Sequence, residues 1–399
     1  MTAIASGLLR SMKVAVEGCC HGKLDAIYAE IAKLEAQNNY KVDLLLICGD
    51  FQAVRNWRDL ACMARPQKYK ENPDDFHKYY SGEKVAPIPT IVIGGNHEAS
   101  NYMWELYHGG WLARNIYFLG HAGSVLVNGL KIAGVSGIYK HYDFGKGHHE
   151  KLPYDPSAMR SIYHTREYDT RRLSLLSSPH IVMSHDWPQN IDKHGDWEDL
   201  LKRTGHLKPD VRANKLGSPA LMDLLQSLKP QRWFSAHLHT RFEATYTHLD
   251  EHVEAEAPMP ATTTQFLGLD QCLPERKFLE VIDIDVPFPN PTPVISFDPE
   301  WLAINRALHP WFSTTQYQPP LPVEQEARAM VAKELEWVNA NIEKDEHGFI
   351  PVDYWQTFVK TAPTLGSDRD VKEEQPPAYT NPQTVSFCKM LDIEDKINS

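Results

Sequence analysis

The sequence predicts an α/β layered fold, and three observations carry that prediction. Short apolar runs alternate with stretches of helical spacing as far as Thr240, which is the pattern of layered α/β proteins. Five of these runs are brief and bounded by turn residues, as fully buried strands are. Each of the five also ends in residues that can bind a metal. In an open α/β sheet, ligands collect beyond the carboxyl ends of the strands, so these residues are expected to meet in one crevice.

Taken in order, Lys13–Glu17 runs into Gly18-Cys19-Cys20-His21. A helix is expected over Leu24–Asn38, where Leu24, Ile27, Tyr28, Ile31 and Leu34 fall on one face. Leu44–Cys48 runs into Gly49-Asp50, and Ile91–Ile93 into Gly94-Gly95-Asn96-His97-Glu98. Ser100–Leu106 reads as a helix. Ile181–Met183 runs into Ser184-His185-Asp186. Pro219–Leu228 reads as a helix opened by Gly217-Ser218, with proline in the first turn. Trp233–Ala236 then runs into His237-Leu238-His239. Thr262–Leu267 and Lys277–Ile284 are two further strands.

Asp285–Pro293 is proline-rich and reads as a linker. Beyond it, Trp301–Ala307 and Val323–Ile342 have helical spacing. The expected division is an extension over 1–11, a catalytic domain over 12–284, a linker with a smaller helical C-terminal domain over 285–361, and a disordered acidic tail over 362–399.

Six cysteines without paired spacing argue for a reducing compartment, nucleus or cytosol. No apolar stretch approaches the ~20 residues that span a bilayer. The net charge of −11 hides an asymmetry. Through Thr240 there are 29 basic and 25 acidic residues; the remainder has 12 and 27. The first part is thus mildly basic and compatible with a polyanionic substrate.

Two long connections mix cations with aromatic rings. Phe51–Pro89 holds Arg55, Arg58, Arg65, Lys68, Lys70, Lys78 and Lys84 with Trp57, Tyr69, Tyr79 and Tyr80. Gly134–Tyr168 holds Tyr139, Lys140, His141, Tyr142, His164 and Arg166. Rings that stack bases beside cations that meet phosphates are a physical use of this mixture; a solvated loop over packed tyrosines is the plainer one. Tyr79, Tyr139, Lys140, His164, Arg166 and Trp187 are the candidate substrate contacts. Tyr79 and Tyr80 would alternate across a strand. Trp187 suits base stacking and loop packing equally.

The strand-end residues suit two metal ions. Cys19 and His21 are two apart, which on an extended segment returns both to one side. Asp50 follows a glycine and can bridge two cations. Asn96 offers a neutral oxygen and His185 an imidazole. His237 and His239 are again two apart, suiting one nitrogen to each metal. Imidazole-rich sites favour Zn²⁺, Fe²⁺ or Mn²⁺ over Mg²⁺, and a thiolate at Cys19 shifts the preference towards Zn²⁺ or Fe²⁺. Asp186 and Glu98 are expected to orient the ligating histidines.

The order Cys19-x-His21, Gly49-Asp50, Gly95-Asn96-His97-Glu98, His185, His237-x-His239 resembles the calcineurin-type metallophosphoesterase superfamily. Cys19 stands where that superfamily has Asp, and Ala236 where it has Gly. Within the superfamily, Gly-Cys-Cys-His-Gly, Gly-Asp-Phe-Gln, Ser-His-Asp-Trp-Pro and Ala-His-Leu-His resemble the RNA lariat debranching family. The match extends to His164-Thr165-Arg166-Glu167, Gly217-Ser218-Pro219 and the Thr-rich strand before Phe266, so it covers most of Met12 to about Pro310.

This resemblance implies a layered β-sandwich flanked by helices. It implies hydrolysis of the 2′–5′ phosphodiester at the branch point of intron lariat RNA, and hence a nuclear location, with the cytoplasm as a second one. One metal would take Cys19, His21, Asp50 and His239; the other Asp50, Asn96, His185 and His237. His97 would be the catalytic histidine, and the lariat-recognition loop would fall in 134–168. A linear nucleic-acid phosphodiesterase or a protein phosphatase is the runner-up, although the chain has Gly-Asp-Phe-Gln-Ala-Val-Arg where Ser/Thr phosphatases carry Gly-Asp-Tyr-Val-Asp-Arg-Gly. An inactive scaffold is the third reading. Protein partners stay open.

Overall fold

The computed structural model describes residues 10–64, 72–248, 262–288, 290, 292–366 and 374–398. Among them fourteen strands run in chain order: β1 (Arg10–Glu17), β2 (Leu44–Ile47), β3 (Thr90–Val92), β4 (Gly110–Ala113), β5 (Ile116–Phe118), β6 (Ala122–Val127), β7 (Leu130–Val135), β8 (Ile181–Ser184), β9 (Arg232–Ser235), β10 (Phe242–Thr247), β11 (Thr263–Gly268), β12 (Leu279–Val286), β13 (Ile295–Phe297) and β14 (Ile350–Pro351). They form two sheets, ordered β12-β1-β2-β3-β5-β4 and β10-β11-β9-β8-β7-β6-β13-β14. The central strands of each are parallel: β1, β2, β3 and β5 in the first, β7, β8, β9 and β11 in the second.

The sheets stack as a sandwich, and the strand alternation shows why. Val14, Val16, Leu44, Leu46, Ile91 and Ile93 enter the core shared with Ile132, Val182 and Trp233 of the second sheet. The residues between them, Ala15, Leu45, Ile47 and Val92, enter a separate outer core under the helix Leu24–Asn38. Successive side chains of a strand point to opposite faces, so strands covered on both faces read as unbroken apolar runs. The parallel strands of both sheets end on the same rim, which gathers their terminal residues.

Several expected elements shift. Arg10 and Ser11 lie in β1, paired with Val286 and Asp285, so the extension over 1–11 loses its last two residues to the sheet; residues 1–9 are outside the described part. β12 runs through Val286 and takes the start of the expected linker. Tyr79 and Tyr80 stand on a helix, Phe76–Ser81, and not on a strand. The helical C-terminal part is present, but it shares the main core. Trp301, Leu302, Ile304, Val331, Phe387 and Leu391 are buried in the same cluster as the sandwich strands.

The disorder expected over 362–399 is corrected by a capped helix, Pro382–Leu391, with Asn381 accepting from the Gln383 N–H. The Gln383 side chain accepts from the Trp111 backbone N–H (2.8 Å) and donates to its carbonyl (2.9 Å). Charge and proline in the segment masked this short apolar stripe. Residues 367–373 and 399 are outside the described part.

Phe387→Ala should therefore lower stability by ~3–5 kcal/mol, the usual cost of emptying a buried Phe site. Denaturant unfolding measures it; a loss under ~0.5 kcal/mol, as at an exposed site, would return the segment to a loose tail.

Candidate metal centre

Each ligand-bearing segment leaves its strand through a tight turn. Four of the candidate ligands take a positive φ: His21 (45°), Asp50 (48°), His237 (63°) and His239 (50°). Such backbone is uncommon for residues other than glycine and clusters at functional sites. Here it turns the side chains off the sheet rim and towards one another.

Cys19 Sγ, a carboxylate oxygen of Asp50 and one ring nitrogen each of His21 and His239 all lie within 4.8 Å of one another. His21 Nε2 faces His239 Nε2 at 3.2 Å and Asp50 Oδ2 at 3.7 Å. On the other side of the same carboxylate, His185 Nε2 is 3.4 Å from Asp50 Oδ1 and 3.3 Å from Asn96 Oδ1. The His237 ring lies 5.1 Å from the His185 ring, centre to centre. The geometry thus brings together all seven candidate ligands in two groups, with Asp50 between them.

The donor chemistry fits two cations. His185 donates from Nδ1 to the Cys48 carbonyl (2.8 Å), which leaves the lone pair on Nε2 turned towards Asp50 and Asn96, the tautomer a metal requires. Two imidazole nitrogens 3.2 Å apart are both satisfied by a shared cation. Burial lowers His21 to about 4 against the pull of Asp50, and burial with the neighbouring His185 lowers His237 to about 4, so both are neutral and able to ligate. Burial would push the Asp50 carboxyl up; His185, which faces it, overcomes this and holds it well below the usual range. Burial and the charge of Asp50 push the Cys19 thiol up, and a coordinating cation is what deprotonates such a thiol. Cys19 also accepts from the His237 backbone N–H (3.1 Å). Cys20 turns the other way, into the outer core.

Glycine makes the approach possible. A Cβ at Gly95 would meet Asp50 Oδ1 at 2.2 Å and His185 Nε2 at 2.7 Å. Glu98 does not orient a histidine, as the sequence suggested. It accepts from the backbone N–H groups of Phe51, Gln52 and Gly95 at 2.8, 2.8 and 2.9 Å, pinning the Asp50 turn to the Asn96 turn. Burial and the Asp50 charge push it up to about 7. Asp186 likewise accepts from backbone, the N–H groups of Tyr139 (3.3 Å) and Trp187 (2.9 Å). His97 is half-buried; its backbone N–H donates to Asp50 Oδ1 (2.8 Å) and its Nδ1 to the Ala64 carbonyl (3.1 Å).

The candidate substrate contacts divide. Tyr79 is buried, with its hydroxyl donating to Asp25 (2.8 Å). Trp187 is fully buried, stacked on Phe242 and donating to the Ala236 carbonyl (2.8 Å). Arg166 is fully buried on Glu150 (2.6 Å), and His164 is buried on Asp143 (2.7 Å). These four hold the fold and do not face a substrate. Arg55 is similarly spent, fully buried between Asp59 and Glu105. Tyr139 is half-buried and Lys140 exposed, next to the Asp186 turn. Arg65, Lys68, Tyr69 and Lys70 lie outside the described residues.

Two substitutions test this centre. Gly95→Ala should displace Asp50 or His185 and lower bound metal at both positions, read by elemental analysis of purified protein; full retention would mean that the turn relaxes. Cys19→Ser should lower the content of thiophilic metal selectively, whereas Cys20→Ser should leave metal content unchanged. Equal losses in the two variants would remove Cys19 from the ligand set.

Comparison with known proteins agrees with this architecture. Residues 12–241 match the family model of calcineurin-like phosphoesterases, and residues 261–396 match that of the lariat debranching enzyme C-terminal domain. The chain is 44% identical to a lariat debranching enzyme of Arabidopsis thaliana, over 97% of this chain and 88% of that protein. It is 43% identical to the one of Gallus gallus, over 97% and 72%. It is 44% identical to the one of Homo sapiens, over 96% and 70%. With both of its parts matched and the similarity running almost end to end, the chain belongs to the lariat debranching enzyme family.

Proposed function

We propose that the chain is a metal-dependent phosphodiesterase that hydrolyses the 2′–5′ bond at the branch point of intron lariat RNA, releasing a linear RNA. The observation that carries this reading is the seven candidate ligands gathered around Asp50, with the backbone N–H of His97 on the same carboxylate. Cys19, His21, Asp50 and His239 would hold one divalent ion, and Asp50, Asn96, His185 and His237 the other; Zn²⁺, Fe²⁺ and Mn²⁺ all suit these donors. When bound, such a pair supplies charge neutralisation of the phosphodiester and activation of the attacking water.

The chain's own residues do the rest. The Asp50 carboxylate fixes the His97 backbone, and the Ala64 carbonyl accepts a hydrogen bond from Nδ1–H. As the imidazolium, the ring then has its second N–H on the opposite nitrogen, Nε2, which would give that proton to the leaving 2′ oxygen and return to the neutral ring, or donate to the phosphoryl oxygens as charge builds on them. Glu98 ties the Asp50 and Asn96 turns together, so that the ligands and His97 move as one body. Tyr139 and Lys140, on the segment leaving β7, are the members of the 134–168 loop proposed to meet RNA.

Cleavage of a synthetic branched RNA beside a linear 3′–5′ RNA tests the reading; equal rates on the two would favour a general nuclease. His97→Ala should retain both metals and slow cleavage of the branched RNA by ~10²–10⁴-fold, the usual worth of general acid catalysis. Loss of metal in step with activity would make His97 a ligand instead.

A further inference from the structure

The segment between β8 and the helix Pro219–Leu228 leaves the sheet just past His185 and makes an excursion of its own. Its two ends are tied together in a neck. The Ser218 N–H donates to the Trp187 carbonyl (2.8 Å), the Gln189 N–H to the Ser218 carbonyl (2.9 Å) and the Asn190 N–H to the Leu216 carbonyl (3.1 Å). Between these ends lie two short helices, Trp197–Arg203 and Lys208–Arg212. Leu200, Leu201, Leu207 and Leu216 are buried in the main core, so the excursion is seated firmly on the sandwich.

Its charge is divided along the chain. Residues 192–199 hold four acidic residues and one lysine, whereas residues 200–216 hold five basic residues and one aspartate. The second stretch thus carries a net +4 in a chain whose net charge is −11. Lys202, Lys208, Arg212 and Lys215 are exposed, and none of the four forms an ion pair among the described residues. Lys208 and Arg212 are four apart on one helix and therefore share a face.

Both ends of this basic stretch are fixed at the rim that carries the candidate ligands. At its start, Arg203 donates to Thr240 Oγ1 (2.8 Å) and to the Arg241 carbonyl (3.1 Å), and Thr240 directly follows His239. At its end, Leu216 is bonded to Asn190, on the neck that opens at Trp187 just past His185. Other cations close to the ligand turns are already spent. Lys23 pairs with Asp74, Arg241 with Glu243 and Glu280, and Arg276 with Asp270.

Exposed lysines and arginines are ordinarily a solvated face. Here their clustering, their lack of anionic partners and their place beside a centre built for a phosphodiester make them an electrostatic footprint for a polyanion. A single RNA strand has the matching chemistry. Its phosphates recur at every nucleotide, and long cationic side chains meet them without reading the bases. An acidic protein surface has the right sign too, but docked between the turns of His185 and His239 it would cover the rim that the substrate must enter.

We propose that Lys202, Lys208, Arg212 and Lys215 form a contact surface for the sugar-phosphate backbone of one RNA arm, beyond the bond that is cut. That use rests on the debranching reading; contact with single-stranded RNA does not, and it can be measured without cleavage.

The test is fluorescence anisotropy of a labelled linear RNA of about a dozen nucleotides, titrated with the metal-loaded protein over a range of salt concentrations. Combining Lys208→Ala, Arg212→Ala and Lys215→Ala should weaken binding by about tenfold or more. It should also flatten the dependence of log affinity on log salt by about 2, since each phosphate contact on a single strand contributes about 0.7. Each single substitution should flatten it by about 0.7, so the outcome does not hang on the folding of the triple variant. Combining Lys33→Ala, Lys41→Ala and Lys333→Ala removes three exposed lysines elsewhere and should change affinity by less than about twofold. With branched RNA, the first triple variant should show a KM raised in step with its lost affinity. Unchanged affinity and slope in that variant, or an equal loss in the second, would overturn the proposal. Weakened RNA binding in a protein that does not cleave branched RNA would support the surface and count against the debranching reading alone.

Discussion

The buried carboxylate of Asp50 is the constraint around which the molecule is organised. An ionised carboxylate at the meeting point of two β-sheets is tolerable only with opposite charge on it. The chain supplies imidazole rings on both sides, a backbone N–H from His97 and a turn pinned by Glu98. Of the rings around it, His21 and His237 are held neutral, so divalent cations at this rim would take up the charge of Asp50. The strained turns, the missing side chain at Gly95 and the direction of Cys19 all serve that one requirement.

Much of this was legible because strand ends are legible. Runs such as Leu44–Cys48 and Ile91–Ile93 have one reading as buried strands, and the residue after each run falls on the rim. That the seven candidate ligands and His97 would meet at one rim was therefore readable before any coordinates, aided by a resemblance spread over the same motifs. The substrate contacts were not legible in this way. A tyrosine, arginine or tryptophan in a loop looks the same whether it faces solvent or core. Tyr79, Arg166 and Trp187 turned inward because Asp25, Glu150 and the Ala236 carbonyl give their polar ends partners under the surface. Those partners lie 54, 16 and 49 positions away in sequence, beyond any local pattern. The C-terminal helix was missed for a related reason: its apolar stripe is short, and its partners are in β4 and β13.

The last part of the chain is tied to both of the long connections. Arg58 pairs with Glu374 at 3.0 Å, and Asn56 donates to the Pro363 carbonyl at 2.8 Å. The Gln375 amide makes a two-way link with the Tyr154 backbone, at 2.7 and 2.8 Å. Loops that would touch RNA thus owe their shape to residues far from them in sequence. Such bracing pre-organises a binding surface, which lowers the ordering cost of association.

The pairing of β1 with β12 has a consequence for how the protein comes into being. The first described strand closes its sheet only against a strand some 270 positions later, as in the Lys13–Asp283 contact, and the core is completed by helix Pro382–Leu391. Contacts so remote in sequence slow folding, because a long loop must close before they form. The sheet that carries Cys19, Asp50 and Asn96 is therefore closed only once β12 is available, well after the last candidate ligand, His239, has been made.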